Sequence, residues 1–544
     1  MPLRDKNEKE DFINSLSRRK PVEKGLQQAS CEKSLSWYDL TAYGIAATVG
    51  SGVYVTCGRV AHTLAGPSVV FSTAIAGLLS LMTGIVYLEF ASSLPISGSG
   101  YAYFYTMLGE FLGWSIGWNL TLEYAFAAAA IAGGWTGYFV GLMEDSFGWN
   151  LPKWMYSISL TGTENSVFRI NLLAALIVLI VGVIVSRGVK FGALFTNMIT
   201  AVNIGIILFI VVLGSFSIKA SNWAPFVPLG VQGISQGSGE MFFSFIGYDT
   251  ISSLAAESMN PGRDLPIAVL LTVGTATTLY MAMGLVLTGM VKYTSLDLSN
   301  PLAEAFIANG YSWAAIIVSI CALFTMAATI FACLTGQPKI FQAISKDGLM
   351  PKFFAREDRN GTPIGGVIFT VILTALVAGL MDVDVGLIDM ISFGTLLGMS
   401  ALCSGLLVVR FEQHRPVYKL GTLLTIIYFI GCIASSVAFV LETNIFFSPI
   451  VGTVTMFLPF LGLSYLFIRH REQLASNSQA FSCPLMPIIP CLAIAANTFF
   501  MIRMKDVWIA FIQFAVWTTI GTAFYFSYGR GHSHLKLDQH DPEH

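Results

Sequence analysis

An all-α membrane-embedded chain that crosses a bilayer about fourteen times is what the sequence predicts, and three observations predict it. Of 544 residues, 54% are apolar and only 11% charged, with a mean hydropathy of +0.68, whereas a soluble domain carries roughly 25% charged residues. Apolar runs of the roughly 20 residues that a helix needs to cross about 30 Å of hydrocarbon recur along the chain. The basic residues are unequally shared. With the amino terminus placed in the cytoplasm, the connections on that side hold 23 Lys and Arg and those opposite hold 7, which fits an even number of crossings with both termini cytoplasmic.

In order, the spans fall near 38–58, 68–92, 112–140, 170–186, 191–214, 236–256, 266–290, 311–337, 364–381, 386–409, 421–441, 449–468, 484–502 and 507–528. The stretch 98–140 is too long for one crossing, so its start reads as a segment lying in the interface. The charged connection 339–363, with Lys346, Asp347, Lys352, Arg356, Glu357, Asp358 and Arg359, reads as an amphipathic helix on the inner surface. Residues 1–35 are too polar for a cleavable signal peptide, which leaves span 1 as an uncleaved anchor. The tails 1–35 and 529–544 read as solvated. Eight cysteines lie mostly within spans or beside the cytoplasm and behave as small apolar core residues. The sequon at Asn119 lies inside a span and that at Asn360 in an inner loop, so neither is expected to be glycosylated.

Two spans carry breaks. In span 1, Gly50-Ser51-Gly52 is expensive to keep helical, at about 1 kcal/mol per glycine. Taken alone, such small residues also fit close helix packing, as Gly44 and Thr48 do at a spacing of four. Span 6 favours unwinding, because its second half holds Asp249 and Glu257 with Thr250, Ser252 and Ser253 between them, too polar for a helix facing lipid. Interrupted helices in corresponding positions of two repeats mark a transport site at mid-depth. Backbone N–H groups at Gly50, Ser51, Gly52 and Val53, at the start of a half-helix, suit a carboxylate. Carbonyls freed around Ile45, Ala46, Phe243 and Ser244 suit an ammonium. Together they describe a receptor for the two ends of an amino acid.

These residues, with others in the same order, resemble the cationic amino acid transporters of the amino acid–polyamine–organocation superfamily from about Ser34 to Ser533. The matching stretches are 50–55, Pro95-Ile96-Ser97-Gly98-Ser99-Gly100-Tyr101-Ala102-Tyr103, Gly117-Trp118-Asn119-Leu120-Thr121-Leu122-Glu123-Tyr124 and Phe242-Phe243-Ser244-Phe245-Ile246-Gly247-Tyr248-Asp249. Asn260-Pro261, Lys346-Asp347-Gly348-Leu349, Ser392-Phe393-Gly394-Thr395-Leu396 and 481–487 follow. The resemblance implies a five-plus-five inverted-repeat core over 36–410 and accessory helices over 411–528, between tails 1–35 and 529–544. It implies sodium-independent transport of lysine, arginine or ornithine by alternating access, and places Cys333 and Leu334 beside the substrate side chain. Asn203 stands where proton-coupled relatives carry a lysine, which favours facilitated diffusion. The sequence departs from the family at Ala256, which precedes Glu257 where two acidic residues are common.

Several residues have a functional and a structural reading. Glu123 lies deep in span 3, where a charge costs roughly 2.5–3.5 kcal/mol on insertion scales and needs a partner; it either accepts a cationic side chain or is satisfied locally. Glu89, near the inner end of span 2, reads as a snorkelling or gate-lining carboxylate. Asp249 and Glu257 read as gate partners for Arg263 or Lys190, or as satisfying the freed backbone. Phe242, Phe243 and Phe245 read as gates or as packing.

Other function classes fit poorly. All seven histidines lie in loops or tails and none has metal-ligand spacing, so no catalytic residue, metal or cofactor is expected. A net charge of −2 offers no attraction for nucleic acid. No filter loop of an ion channel is visible. The alternatives retained are a proton-coupled or broad-range neutral amino acid transporter and a transporter-like amino acid sensor. The expected partners are a small amino acid and the bilayer, with the plasma membrane preferred to a vacuolar or other internal one.

Overall fold

The computed structural model describes residues 16–21, 34–50, 52–94, 99–159, 169–187, 193–358, 361–381, 386–412, 414–440, 447–471, 473–474 and 481–536. The protein is an all-α polytopic membrane protein, and each of the fourteen expected spans falls on a helix or a broken pair of helices. Helix α1 (Trp37–Thr48) opens on a capping box, in which the Ser36 N–H donates to Asp39 Oδ2 at 3.2 Å and covers an otherwise free donor. After a break come α2 (52–65), α3 (Val69–Ser93) and α4 (Ser99–Met107). Gly109, at φ +121°, then turns the chain into α5 (Glu110–Phe147). The start of the long 98–140 stretch thus forms α4, a short helix separate from α5.

A two-residue hairpin, β1 (Ile158–Ser159) with β2 (Arg169–Ile170), leads into α6 (Leu172–Ser186) and α7 (Ala193–Ser215). The second broken pair is α8 (Gly230–Phe242) and α9 (Thr250–Ser253). Next come α10 (Pro261–Met290), α11 (Pro301–Ala308) and α12 (Ser312–Lys346). The remaining helices are α13 (Ile364–Leu380), α14 (Ile388–Glu412), α15 (Arg415–Val440), α16 (Phe447–Arg469), α17 (Ile488–Arg503) and α18 (Val507–Phe524).

Among the described residues, seven helical stretches are long and apolar enough to cross a membrane unaided, and five shorter apolar helices accompany them. Their outward faces expose Leu176, Ile180, Ile372, Leu376, Ile426, Ile430, Ile512 and Val516, a continuous apolar surface that requires lipid. Inside, α5 and α12 pack closely, because Gly336 leaves room for the Tyr124 ring. Cys57, Cys403, Cys432, Cys483 and Cys491 are buried free thiols, in keeping with apolar packing.

Two expectations are corrected. Among its described residues, the connection 339–363 holds no separate amphipathic helix: α12 runs on through Lys346, and a 3-10 turn, Lys352–Ala355, follows. Backbone already committed to the α12 hydrogen-bond ladder has no reason to restart on the surface. Nor are both tails wholly solvated. Lys20 Nζ lies 2.7 Å from Asp347 Oδ1, and Ser533, fully buried, donates to Glu110 Oε2 at 2.6 Å. The parts of both tails that are described therefore dock on one face, beside the ends of α4 and α12.

Candidate functional site

Helix α1 ends because Val49 leaves the helical region, at φ −81° and ψ 90°, while its N–H still returns to Ile45 O at 2.8 Å. Helix α2 begins at Gly52 with a π-turn, Gly52–Thr56. In the sixth span, α8 tightens into a 3-10 turn, Phe243–Phe245, and Ile246 becomes extended at ψ 133°. Gly247 then takes φ +119°, a conformation for which only glycine has no steric penalty. The two breaks face each other. A Cβ at Gly52 would stand 2.6 Å from Ser244 Cα, and one at Gly247 would stand 2.6 Å from Ala47 O. Glycine at both positions is what lets the two unwound backbones meet.

Side chains from neighbouring helices hold the breaks open. Tyr280 of α10 places its hydroxyl 3.0 Å from Thr48 O and 3.1 Å from Ser244 O, one carbonyl from each break. Asn203 of α7 donates to Val49 O at 3.1 Å and accepts from Tyr54 at 3.3 Å and Thr325 at 3.4 Å. The Tyr138 hydroxyl donates to Tyr54 O at 2.8 Å. Unwound backbone thus finds protein partners at mid-depth, as backbone away from water must.

Between the breaks lies a small cavity. Ala47, Thr48, Gly50 and Gly52 line it from the first span, and Phe243, Ser244, Ile246, Gly247, Asp249 and Thr250 from the sixth. Helix α5 adds Glu123, Tyr124, Ala127 and Ile131, and α12 adds Thr329, Ala332 and Cys333. Glu123 enters through a π-turn, Leu122–Phe126, an irregularity frequent at functional positions.

The wall is apolar apart from a few groups, and none of its lining residues is Lys, Arg or His. Glu123 and Asp249 are buried, at 6% and 2% exposure. Tyr124 donates to Asp249 Oδ2 at 3.2 Å, and Asp249 Oδ1 has no hydrogen-bond partner. Thr48 Oγ1 and Ser244 Oγ are also buried without partners. Two acids and two hydroxyls therefore face a space that offers them no counter-charge, at a cost that a bound cation would relieve.

Among the sequence-predicted residues, Gly50, Gly52, Glu123, Phe243, Ser244, Asp249 and Cys333 share this cavity. Val53, Phe245 and Leu334 are buried outside it, Phe245 against the Tyr280 ring at 5.4 Å. Ala46 is half-buried and does not line it, and Ser51 lies outside the described residues. The Ile45 carbonyl is not free, since Val49 N–H takes it; the freed carbonyls lie at Thr48 and Val49. The α1 ladder runs to Thr48, just short of the glycines, and so uses the Ile45 carbonyl within the helix.

Glu89 is no gate. Its Oε1 stands 2.6 Å from Arg410 Nη2, and its Oε2 accepts the Cys483 N–H at 2.7 Å, tying α3 to α14 and to the segment before α17. Glu257 acts through its carbonyl, which accepts the N–H groups of Ser34 and Leu35, both at 3.0 Å. Neither Asp249 nor Glu257 makes an ion pair with Arg263, and Lys190 lies outside the described residues. Tyr280, Tyr124 and Thr329 were missed; a tyrosine within an apolar span needs a hydrogen-bond partner, and that was the available signal.

Comparison with known proteins bears on this arrangement. The family profile described as amino acid permease matches residues 35–468, and one for the C-terminus of such permeases matches 481–533. The chain belongs to the amino acid permease family. This permease is 32% identical to a methylthioribose transporter of Bacillus subtilis, over 96% of its own length and 100% of the relative. It is 30% identical to cationic amino acid transporter 4 of Mus musculus, covering 98% and 92% of the two chains. A branched-chain amino acid permease of Bacillus subtilis shares 31% identity over 96% and 99%. The permease is a membrane transporter and not an enzyme.

Proposed function

We propose that this permease carries amino acids with cationic side chains, lysine, arginine and ornithine, by sodium-independent facilitated transport. One observation carries the reading: Glu123 and Asp249 both line the cavity between the breaks, and none of its lining residues supplies a cation. The substrate carboxylate sits at the start of α2, by Gly50, Ser51 and Gly52, where N–H groups and the helix dipole favour an anion. The ammonium sits against Ser244 and the carbonyls at the first break. The side-chain cation supplies the charge that the two acids lack, with Cys333 and Thr329 flanking its stem.

Asn203 supports uniport. Its amide bonds the Val49 carbonyl directly, so the unwound segment is held without a coupling ion at that point. The driving force is then the substrate gradient and the membrane potential, worth about 2.3 kcal/mol per charge per 100 mV. In this reading 36–410 form a five-plus-five inverted-repeat core, and 411–528 an accessory unit. The first, second, sixth and seventh spans rock against the rest to expose the site alternately. The tails lie in the cytoplasm and the protein resides in the plasma membrane.

The relatives named for methylthioribose and for branched-chain amino acids lend weight to a second reading, transport of neutral solutes through the same apolar cavity. Uptake of labelled lysine, arginine and alanine into proteoliposomes separates the two. Potential-driven lysine entry that ignores a pH gradient is expected. Alanine entry without lysine entry overturns cationic selectivity, and strict proton dependence overturns uniport.

A further inference from the structure

Helix α4 is gripped on two opposite faces. Tyr101 and Tyr105 stand at i and i+4 on one face, and Tyr103 lies across the helix from both; all three are fully buried. The Tyr103 hydroxyl donates to Ser252 O of α9 at 3.1 Å, and its ring packs on those of Tyr87 and Phe90 of α3 at 5.8 and 6.3 Å. That face touches the second span and the second half of the broken sixth span, two of the spans assigned above to the rocking body.

The opposite face is held by both ends of the chain. The Tyr101 hydroxyl donates to Asp347 Oδ2 at 2.8 Å, and the Lys20 ammonium donates to Asp347 Oδ1 at 2.7 Å. The Lys20 N–H reaches Tyr105 O at 3.3 Å. From the carboxyl-terminal segment, Ser533 donates to Glu110 Oε2 at 2.6 Å, and the His534 N–H donates to Asp347 O at 3.1 Å. The Tyr105 hydroxyl also donates to Glu110 Oε2, at 3.4 Å, and Arg18 supplies Glu110 with a favourable positive charge. One glycine seats each segment: a Cβ at Gly109 would stand 3.0 Å from Leu16 O, and one at Gly348 would collide with His532 O. The two ends of the chain therefore meet on two buried acids, Glu110 and Asp347, and each acid reaches α4 through a tyrosine hydroxyl. Burying those acids costs free energy that the docked segments help to offset.

We propose that the two tails form a clasp on α4 that restrains opening of the permease on the tail side, so that undocking them speeds transport. Helix α4 carries the restraint: Glu110 and Asp347 fix Tyr105 and Tyr101, and Tyr103 keeps Ser252 from moving away with the sixth span. Ser533 is the control point, because a negative group introduced there faces Glu110 and repels it. The inference rests on the rocking motion proposed above and not on which amino acid is carried.

Lys20→Ala combined with Ser533→Ala removes one anchor from each segment. In proteoliposomes, the maximal uptake rate for whichever of lysine or alanine the wild type carries is expected to rise about threefold or more at an unchanged KM, the kinetic equivalent of one lost hydrogen bond. Ser533→Asp alone is expected to do the same, and Lys20→Arg to keep the wild-type rate. Tyr103→Phe cuts the link on the other face while both tails stay docked; it is expected to raise the rate equally, with no further rise when the clasp substitutions are added. Monodisperse elution establishes folding, and the single substitutions carry the test where the combined variant is not monodisperse. Cys333, half-buried on the wall of the central cavity, gives a readout that needs no substrate: its alkylation by a maleimide in detergent, followed by peptide mass spectrometry, is expected to quicken several-fold in the same variants. An unchanged or lower rate in folded clasp variants overturns the clasp and leaves the tails as packing, and so does unchanged alkylation of Cys333. Additive rises in the combined variant overturn α4 as the carrier of the restraint. Wild-type protein that carries neither amino acid overturns the transport reading, and Cys333 alkylation then decides the clasp by itself.

Discussion

Buried acids near the tail face and buried acids at the centre of this permease are treated in opposite ways. Glu89 has Arg410 at 2.6 Å, and Asp347 has Lys20 at 2.7 Å and the Tyr101 hydroxyl at 2.8 Å. Glu123 and Asp249 are as deeply buried, yet no basic side chain lines their cavity. A chain with only 11% charged residues completes its ion pairs where they hold helices together and leaves the central acids unmatched. The difference teaches where to look for the solute: Glu89 and Asp347 have basic partners within the protein, and the two acids of the central cavity have none among its lining residues.

Breaking a complete pair has the largest expected effect. Arg410→Ala leaves Glu89 buried without a cation and removes the donors to Leu474 O and Ser482 Oγ; a loss of about 3–5 kcal/mol is expected. A thermal melt in detergent should show it, and an unshifted Tm would mean that water reaches Glu89 and the burial is illusory. Removing an acid at the centre has the opposite sign for stability. Glu123→Gln is expected to leave the Tm equal or higher while lysine uptake falls roughly 100-fold, the effect of deleting one desolvated charge contact. Normal lysine transport by that variant would break the comparison, because Glu123 would then be a structural acid like the others.

Much of this contrast was invisible in the sequence, for a physical reason. Breaks are local: Gly50 and Gly52 announce backbone that is costly to keep helical, and the polar run Asp249 to Glu257 announces a helix that lipid does not touch. Both are legible within one span, and the length of the apolar runs locates all fourteen. Partners are not local. Lys20 meets Asp347 across 327 positions, and no periodic signal links Glu89 to Arg410, so Glu89 read as a gate. Tyr280 likewise reads as one aromatic among apolar neighbours until the fold brings two freed carbonyls to its hydroxyl. The end of α1 at Thr48, which consumes the Ile45 carbonyl, is a boundary effect of the kind that a few residues decide.

Tyr280→Phe sharpens the comparison at intermediate size. It keeps the ring against Phe245 and deletes the one hydroxyl shared by Thr48 O and Ser244 O. A cost of about 1–3 kcal/mol is expected for carbonyls left unsatisfied away from water. Because both breaks loosen together, uptake of cationic and neutral amino acids should fall in parallel, unlike the selective loss in Glu123→Gln. A selective loss here instead would place Tyr280 in substrate discrimination.

The smallest effect is expected at the tail itself, where two neighbouring pairs differ in burial. Lys20 and Asp347 side chains are 10% and 8% exposed, whereas Arg19 and Glu412, also 2.7 Å apart, are 38% and 39% exposed. Water competes for the second pair and salt screens it, so Arg19→Ala should cost about 0–1 kcal/mol. Lys20→Ala strips a nearly dry carboxylate of its cation and should cost more, with the difference persisting in high salt because buried pairs are poorly screened. Melting both variants at low and high ionic strength checks this. If the two lose equal stability and salt erases both losses, the tail is a solvated strand that touches the protein only electrostatically, and the contrast between a paired acid near the tail face and the acids of the central cavity would rest on Glu89 and Arg410 alone.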